Sequence, residues 1–331
     1  MQQVRVVVDA MGGDHAPSET VKGVFEAARE SSAHHFVLVG EPHAVQAEMV
    51  RYNGVPNVEF APARQVVGMA EEASRALRVK PESSISVGMR LVKSGEADAF
   101  ISAGNTGAVM GAALLTFGRV RGVKRPAIAL TIPIPKGQFL LLDAGANADC
   151  KPEHLLQFAK MGSVYAERVL KIQSPTVGLL NIGEEEEKGN ELVKEAYKLL
   201  KSSSLNFVGN VEGREIFLGK TDVVVCDGFT GNVVLKVIEG VAMTIVSQMK
   251  MTASSSIRSI LGGWLMLPAF GELTRHADYE EYGGAQLLGV NGVCIISHGS
   301  SRAKAIKNAI QVAIKTVRGN VISEIEKGLH E

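Results

Sequence analysis

The sequence predicts an α/β fold, a mostly parallel sheet with helices on both faces. Three observations carry that expectation. Short runs rich in Val, Ile and Leu alternate along the chain with longer stretches whose apolar residues recur at helical spacing. The runs are apolar at successive positions, as in Val223-Val-Val-Cys226, which suits strands covered on both sides. One unit, a strand followed by a Gly-rich turn and a helix, occurs at 222–236 and again at 99–117.

Residues 4–8 read as the first strand and 9–17 as a loop dense in Gly, Asp, His and Pro. A helix is expected from Ser18, with Val21, Val24, Phe25 and Ala28 on one side. A strand at 36–39, a helix at 42–51 and a short strand at 58–61 follow. The charged stretch 65–82 stays open between helix and loop, and Ser83 or Ser84 caps a helix to about 94. The strand at 99–102 leads through Gly104-Asn-Thr-Gly107 into an Ala-rich helix at 108–117. Strands at 127–132 and 139–142 are split by a Pro-Lys-Gly turn, and Pro152 opens a helix to about 169. A strand at 177–180, a helix at 191–201 and a short strand at 207–208 precede the unit at 222–236. In that unit Thr230 or Asn232 caps the helix, and Val233, Val234, Val237 and Ile238 give it a buried face. The helix runs towards 252. Strands at 286–290 and 293–296 flank Asn291-Gly292, a type I′ hairpin signal, and a last helix covers about 302–327.

The 331 residues are expected to form a single domain, with a helical excursion at about 240–282. The excursion carries an uncharged stretch, 260–271, that holds the only Trp. It reads as core or dimer packing, or as a tip that dips into a membrane surface. Formal net charge is zero, so no overall basic surface marks the chain as a nucleic-acid binder. Cys150, Cys226 and Cys294 lack metal spacing and fit a reduced, cytoplasmic setting. Arg5 and Asp9 interrupt the N-terminal apolar run, which reads as a strand and not a signal peptide. No run reaches the roughly 20 apolar residues of a spanning helix.

Ligands of open α/β sheets gather beyond the carboxyl ends of the strands. Here those ends are 9–15, 102–107, 143–147, 181–190, 227–232 and 297–301, and they hold most of the unusual Gly, Asn, Asp and His residues. The expectation is one rim on which backbone N–H groups and small polar side chains hold phosphate. His15 and His298 sit in such loops and suit acid–base or anion-binding roles, and Lys188, after four glutamates, is a candidate cation. The chain has no Gly-x-x-x-x-Gly-Lys-Ser/Thr loop, no Gly-x-Gly-x-x-Gly after the first strand and no Gly-x-Ser-x-Gly elbow.

Met11-Gly-Gly-Asp-His-Ala-Pro17, Ile101-Ser-Ala-Gly-Asn-Thr-Gly-Ala108, Leu141-Leu-Asp-Ala-Gly-Ala-Asn147, Gly178-Leu-Leu-Asn-Ile-Gly183, Lys188-Gly-Asn-Glu191, Asp227-Gly-Phe-Thr-Gly-Asn232, Tyr282-Gly-Gly-Ala285 and His298-Gly-Ser-Ser301 occur in that order. Together they resemble the phosphate acyltransferase (PlsX) family of bacterial phospholipid synthesis. The resemblance implies a three-layer α/β/α sandwich like that of isocitrate and isopropylmalate dehydrogenases. It implies transfer of a fatty acyl group from acyl carrier protein to inorganic phosphate, with the acyl phosphate passed to a membrane glycerol-3-phosphate acyltransferase. It also implies a cytoplasmic homodimer, attached in some members to the inner membrane surface as a peripheral protein, and no cofactor or metal.

On this resemblance Lys188 stabilises charge on phosphate or oxyanion, and Asn232, with N–H groups near Gly231, bonds the oxyanion. Asp14, His15, Asn105, Thr106 and His298 position phosphate or protonate the leaving thiolate, and Asn147, Gly228 and Thr230 complete the phosphate-binding set. Lys250, Arg258 and Arg275, with Trp264, Leu265 and Leu267 of the apolar tip, are the expected contacts to carrier protein or membrane. The rival readings are a decarboxylating dehydrogenase, a phosphotransacetylase that uses coenzyme A, and a membrane-surface scaffold.

Overall fold

The computed structural model describes residues 2–52, 55–135, 137–253, 266 and 283–330. Its strands are β1 (Arg5–Asp9), β2 (His35–Gly40), β3 (Val58–Pro62), β4 (Ala99–Ser102), β5 (Ala127–Ile134), β6 (Gly137–Leu142), β7 (Val177–Asn181), β8 (Phe207–Glu212), β9 (Val223–Val225), β10 (Ala285–Leu288) and β11 (Val293–Ile296). Its helices are α1 (Ser18–Glu30), α2 (Pro42–Met49), α3 (Ala73–Val79), α4 (Ser84–Lys93), α5 (Thr106–Phe117), α6 (Pro152–Tyr165), α7 (Glu191–Lys201), α8 (Gly228–Ala253), α9 (Ala303–Arg318) and α10 (Val321–His330).

All the strands join one sheet, in the order β3-β2-β1-β4-β11-β10-β5-β6-β9-β7-β8. Every neighbouring pair is parallel except three in the middle, β11–β10, β10–β5 and β5–β6. Both faces are covered. On one, Val7, Phe100, Ile128, Phe139, Leu141 and Val224 share an apolar cluster with Ile85 and Met89 of α4, Val109 and Ala112 of α5, and Val234 and Ile238 of α8. On the other, α1 and α9 cover Val6, Val8, Ile101 and Ile295. Next to them α6, α7 and α10 cover Leu140, Leu142, Val223 and Val225. This is the expected α/β/α sandwich, and the lack of polar alternation in its strands follows from burial on both sides.

The three antiparallel pairings correct one expectation. They reverse the chain direction across the sheet centre, so the loops after β1, β4 and β11 leave one edge and those after β6, β7 and β9 leave the other. The six loops therefore leave the sheet in two sets and not along one edge. Sheet twist moderates the split. From β4 to β9 there are five neighbour steps. At about 20–25° each they rotate the two sets of carboxyl ends from opposition to about 55–80° apart.

Two local expectations also change. The β10–β11 hairpin closes over 289–292, with the positive φ at Gly289 (86°) and none at Asn291 or Gly292. No type I′ turn forms, because the link pairs with the segment after α5 instead. Asn291 N–H donates to Gly118 O (3.0 Å), and Val120 N–H donates to Gly289 O (3.0 Å). The last helix is two helices, α9 and α10, broken at Gly319 and Asn320, whose φ of 49° is left-handed.

Candidate active site

A buried aspartate organises each half of the sheet. Asp9 ends β1, and its carboxylate accepts hydrogen bonds from Ser102 Oγ (2.7 Å) and Met11 N–H (3.0 Å). Ser102 Oγ in turn accepts from Gly104 N–H (3.0 Å), so one carboxylate ties the loop after β1 to the turn after β4. Burial pushes the Asp9 carboxyl up, against hydrogen bonds from Ser84, Ser102 and two loop N–H groups that pull it down. Asp14 N–H donates to Gly299 O (2.7 Å), which brings in the loop after β11. Asp14 and Thr106 are exposed, and His15, next to Asp14 in sequence, is half-buried. His298 is exposed, with Nδ1 2.7 Å from Ser300 Oγ.

The Asn105 side chain is committed inside the protein. Its Oδ1 caps α5 by accepting from Ala108 N–H (2.9 Å), and its amide donates to Met69 O and Glu71 O (2.9 Å each). Both amide hydrogens are used, which makes it an anchor for the segment before α3 and not the expected phosphate donor. Glu71 is itself held by Lys80 (2.5 Å), whose ammonium keeps the Glu71 carboxyl below its usual range.

Asp143, fully buried after β6, is the counterpart in the other half. Its Oδ1 accepts N–H from Ile128 (3.0 Å), Gly145 (3.2 Å) and Ala146 (2.9 Å). Its Oδ2 accepts from Asn147 N–H (2.7 Å) and Asn147 Nδ2 (2.8 Å). Burial raises the carboxyl and these bonds oppose the rise. Asn147 also donates Nδ2 to Pro126 O (2.7 Å), so its amide hydrogens hold the loop and are not left for phosphate.

The turn after β9 departs from expectation for a clear reason. The helix begins at Gly228, and Asp227 caps it, accepting from Thr230 N–H (2.9 Å) and from the Thr230 hydroxyl (2.7 Å). Gly231 N–H donates to Asp227 O (2.9 Å), and Gly228 N–H donates to Asn147 O (2.8 Å). These N–H groups are consumed within the protein and do not form the expected cradle, and Thr230 and Asn232 are not caps. Gly231 is required by close approach, since a Cβ there would stand 1.9 Å from Asp143 O. Asn232 lies on the second turn of α8, exposed, against Gly145, and its side chain makes no hydrogen bond among the described residues.

Lys188 comes from the loop after β7, the strand next to β9 on the same edge. It is exposed and forms no ion pair among the described residues, although four glutamates precede it. Glu186 is taken instead by Lys201 and by Tyr197 OH (3.0 Å). Lys188 and Asn232 therefore share an edge with polar heads unpartnered, and Asp14, His15, Thr106 and His298 gather on the other set of loops. Asp9, Asp143 and Asp227 were not expected to organise the loops; each is an Asp directly behind an apolar run and ahead of a Gly-rich turn, a signal visible in the sequence. Cys150, half-buried, donates to Asn147 O (3.5 Å), and burial pushes its thiol up to about 11.

Lys250 falls in the last turn of α8, and Arg258, Trp264, Leu265, Leu267 and Arg275 lie outside the described residues. Among the described residues α8 is the one helix long and apolar enough to cross a membrane, though its first turns build the site.

The profile of a family described as fatty acid synthesis protein matches residues 4–324. A phosphate acyltransferase of Desulforamulus reducens is 51% identical over 98% of this chain and 97% of its own length. One from Heliobacterium modesticaldum is 52% identical over the same shares. Among solved structures, the EutD phosphotransacetylase from Staphylococcus aureus matches at a TM-score of 0.60 with 15% identity, covering 95% of this chain and 94% of that one. A 4-hydroxythreonine-4-phosphate dehydrogenase from Klebsiella pneumoniae matches at 0.51 with 12% identity, covering 96% and 98%. At those identities the two structures speak for the fold alone.

Proposed function

The chain belongs to the phosphate acyltransferase family and moves an acyl group to phosphate; on that premise we propose that the donor is a fatty acyl thioester of acyl carrier protein and the product is an acyl phosphate for phospholipid synthesis. Identity of 51–52% over nearly the whole chain to named phosphate acyltransferases carries the transfer to phosphate, and supports a fatty acyl donor together with the match to a fatty acid synthesis family. A phosphate oxygen attacks the thioester carbonyl, the C–S bond breaks, and the thiolate leaves with the carrier. Phosphate is itself the nucleophile, so the protein has to hold the dianion, stabilise the oxyanion and keep water from the labile product.

Lys188 binds the dianion and Asn232 donates its free amide to the oxyanion. The unpartnered state of both side chains, one in the loop after β7 and one in the helix that follows neighbouring β9, supports this pairing. His15 and His298, with Asp14 and Thr106, form the second bank, which positions phosphate and returns a proton to the thiolate. Cys150 takes no acyl group, because a thiol held near 11 is almost wholly protonated at neutral pH.

The protein works as a cytoplasmic homodimer and hands its product to a membrane glycerol-3-phosphate acyltransferase. Exposed Val233, Val237, Val241 and Ile245 recur every fourth residue along α8 and support a covered helix face. Carrier protein is acidic, and Lys250, Arg258 and Arg275, which flank the uncharged stretch 260–271 with Trp264 in the sequence, are its proposed docking residues, that stretch being the proposed contact to the membrane surface.

The test is incubation with inorganic phosphate and either an acyl carrier protein thioester or the matching coenzyme A thioester. Acyl phosphate, trapped as hydroxamate, should form from the carrier thioester. Product from coenzyme A thioester alone would make the protein a phosphotransacetylase and end the donor assignment.

A further inference from the structure

We propose that Asn181 is a positioning residue that keeps the Lys188 ammonium clear of its glutamate neighbours and available to an anion. The proposal rests on the role given to Lys188 above. The last residue of β7 reaches across its own loop: Asn181 Oδ1 accepts from Ile182 N–H (2.8 Å), and Nδ2 donates to Lys188 O (3.1 Å). Gly189 turns the chain at φ +91° against this amide, and a Cβ there would stand 2.5 Å from Asn181 Oδ1. No side chain but hydrogen leaves the amide its place. Asn210 Nδ2 holds the middle of the loop by donating to Glu185 O (2.8 Å).

The lysine stem is set by the same bracket. A Cβ on buried Gly183 would meet Lys188 Cγ at 3.1 Å and Glu185 Oε2 at 2.8 Å, so stem and carboxylate both lie over that glycine. Glu185 is thus close to the stem, yet lysine and glutamate form no ion pair among the described residues. Without the tie from Asn181 to the Lys188 carbonyl, the turn relaxes and the ammonium falls onto a neighbouring carboxylate. A lysine neutralised in this way binds phosphate less well.

Steady-state kinetics of Asn181→Ala, Lys188→Ala and the double variant test this, with phosphate and thioester varied separately. Asn181→Ala should raise the KM for phosphate about five- to tenfold, the scale of one lost hydrogen bond. The KM for thioester should not move. In the Lys188→Ala background the same change should add less than about twofold, since it acts through the lysine. Replacing Glu184, Glu185 and Glu187 with Gln should restore the phosphate KM of Asn181→Ala, which a merely structural role would not allow. Gly189→Ala, pressing on the amide from the other side, should reproduce the KM effect and its dependence on Lys188. Independent losses in the double variant, or no rescue by the Gln changes, overturn the proposal while leaving the lysine's role standing. Wild-type kinetics in Lys188→Ala overturn the lysine's role itself.

Discussion

The side chain of Asn232 rests on the backbone of Gly145: a Cβ on that glycine would stand 3.6 Å from both Cβ and Oδ1 of the asparagine. The contact joins the loop after β6 to the first turns of α8, and it fixes where a free amide is presented. Asn232→Ala and Lys188→Ala should each lower turnover by about 10²-fold with thermal stability intact. Rates within a factor of a few of wild type would remove that residue from the chemistry. Gly145→Ala, at φ +135°, should lower turnover too, by shifting the loop on which the amide lies.

Asp143 holds four backbone N–H groups and one side-chain amide from a fully buried position. Asp143→Ala strands those donors and should destabilise the fold by at least about 3 kcal/mol. Chemical denaturation measures it. A loss under about 1 kcal/mol would mean that water replaces the carboxylate and that the loop does not depend on it.

Thiol chemistry gives a pH test. With the Cys150 thiol near 11, the thiolate fraction rises as pH climbs towards that value and is small at pH 8. Iodoacetamide labelling of Cys150 should accelerate about tenfold per pH unit between 8 and 10. Cys150→Ser should keep acyl transfer close to wild type. A burst of acyl-enzyme lost in Cys150→Ser would show a covalent intermediate and contradict direct attack by phosphate.

The every-fourth-residue stripe on α8 is the place to disturb assembly. Val237→Asp should dissociate a dimer in sedimentation analysis, because a charge on a covered apolar face has no partner there. An unchanged sedimentation coefficient would move the contact elsewhere.

Much of the fold was legible because strands such as Val223–Val225 are apolar throughout and Pro152 starts a helix where it should. The direction of the strands was not. The hairpin of β10 and β11 was read from its turn, but periodicity reports burial of a residue and says nothing about which way its neighbour runs, so the net reversal made by the antiparallel pairs of β10 and β5 escaped and the loops were assigned to one rim. The site was legible in residue type and not in role. Asn105 and Asn147 stand in loops that attract ligands and Gly231 in the first turn of a helix that follows one, but their hydrogen bonds are spent within these segments. Asp9 and Asp143 do the organising; their place between an apolar run and a Gly-rich turn is visible in the sequence, but the N–H groups that each carboxylate gathers are not. Asn291-Gly292 promised a tight turn, but the segment after α5 competed for its backbone.

The two strands at the middle of the sheet, β10 and β11, come from residues 285–296. Translation therefore delivers the centre of the sheet after the other nine described strands. Until it emerges, β4 and β5 present bare hydrogen-bonding edges with nothing between them, the kind of edge that recruits other chains. A ribosome that stalls beyond α8 holds two unjoined half-sheets, and release at that stage should yield aggregates or chaperone clients instead of a smaller folded protein.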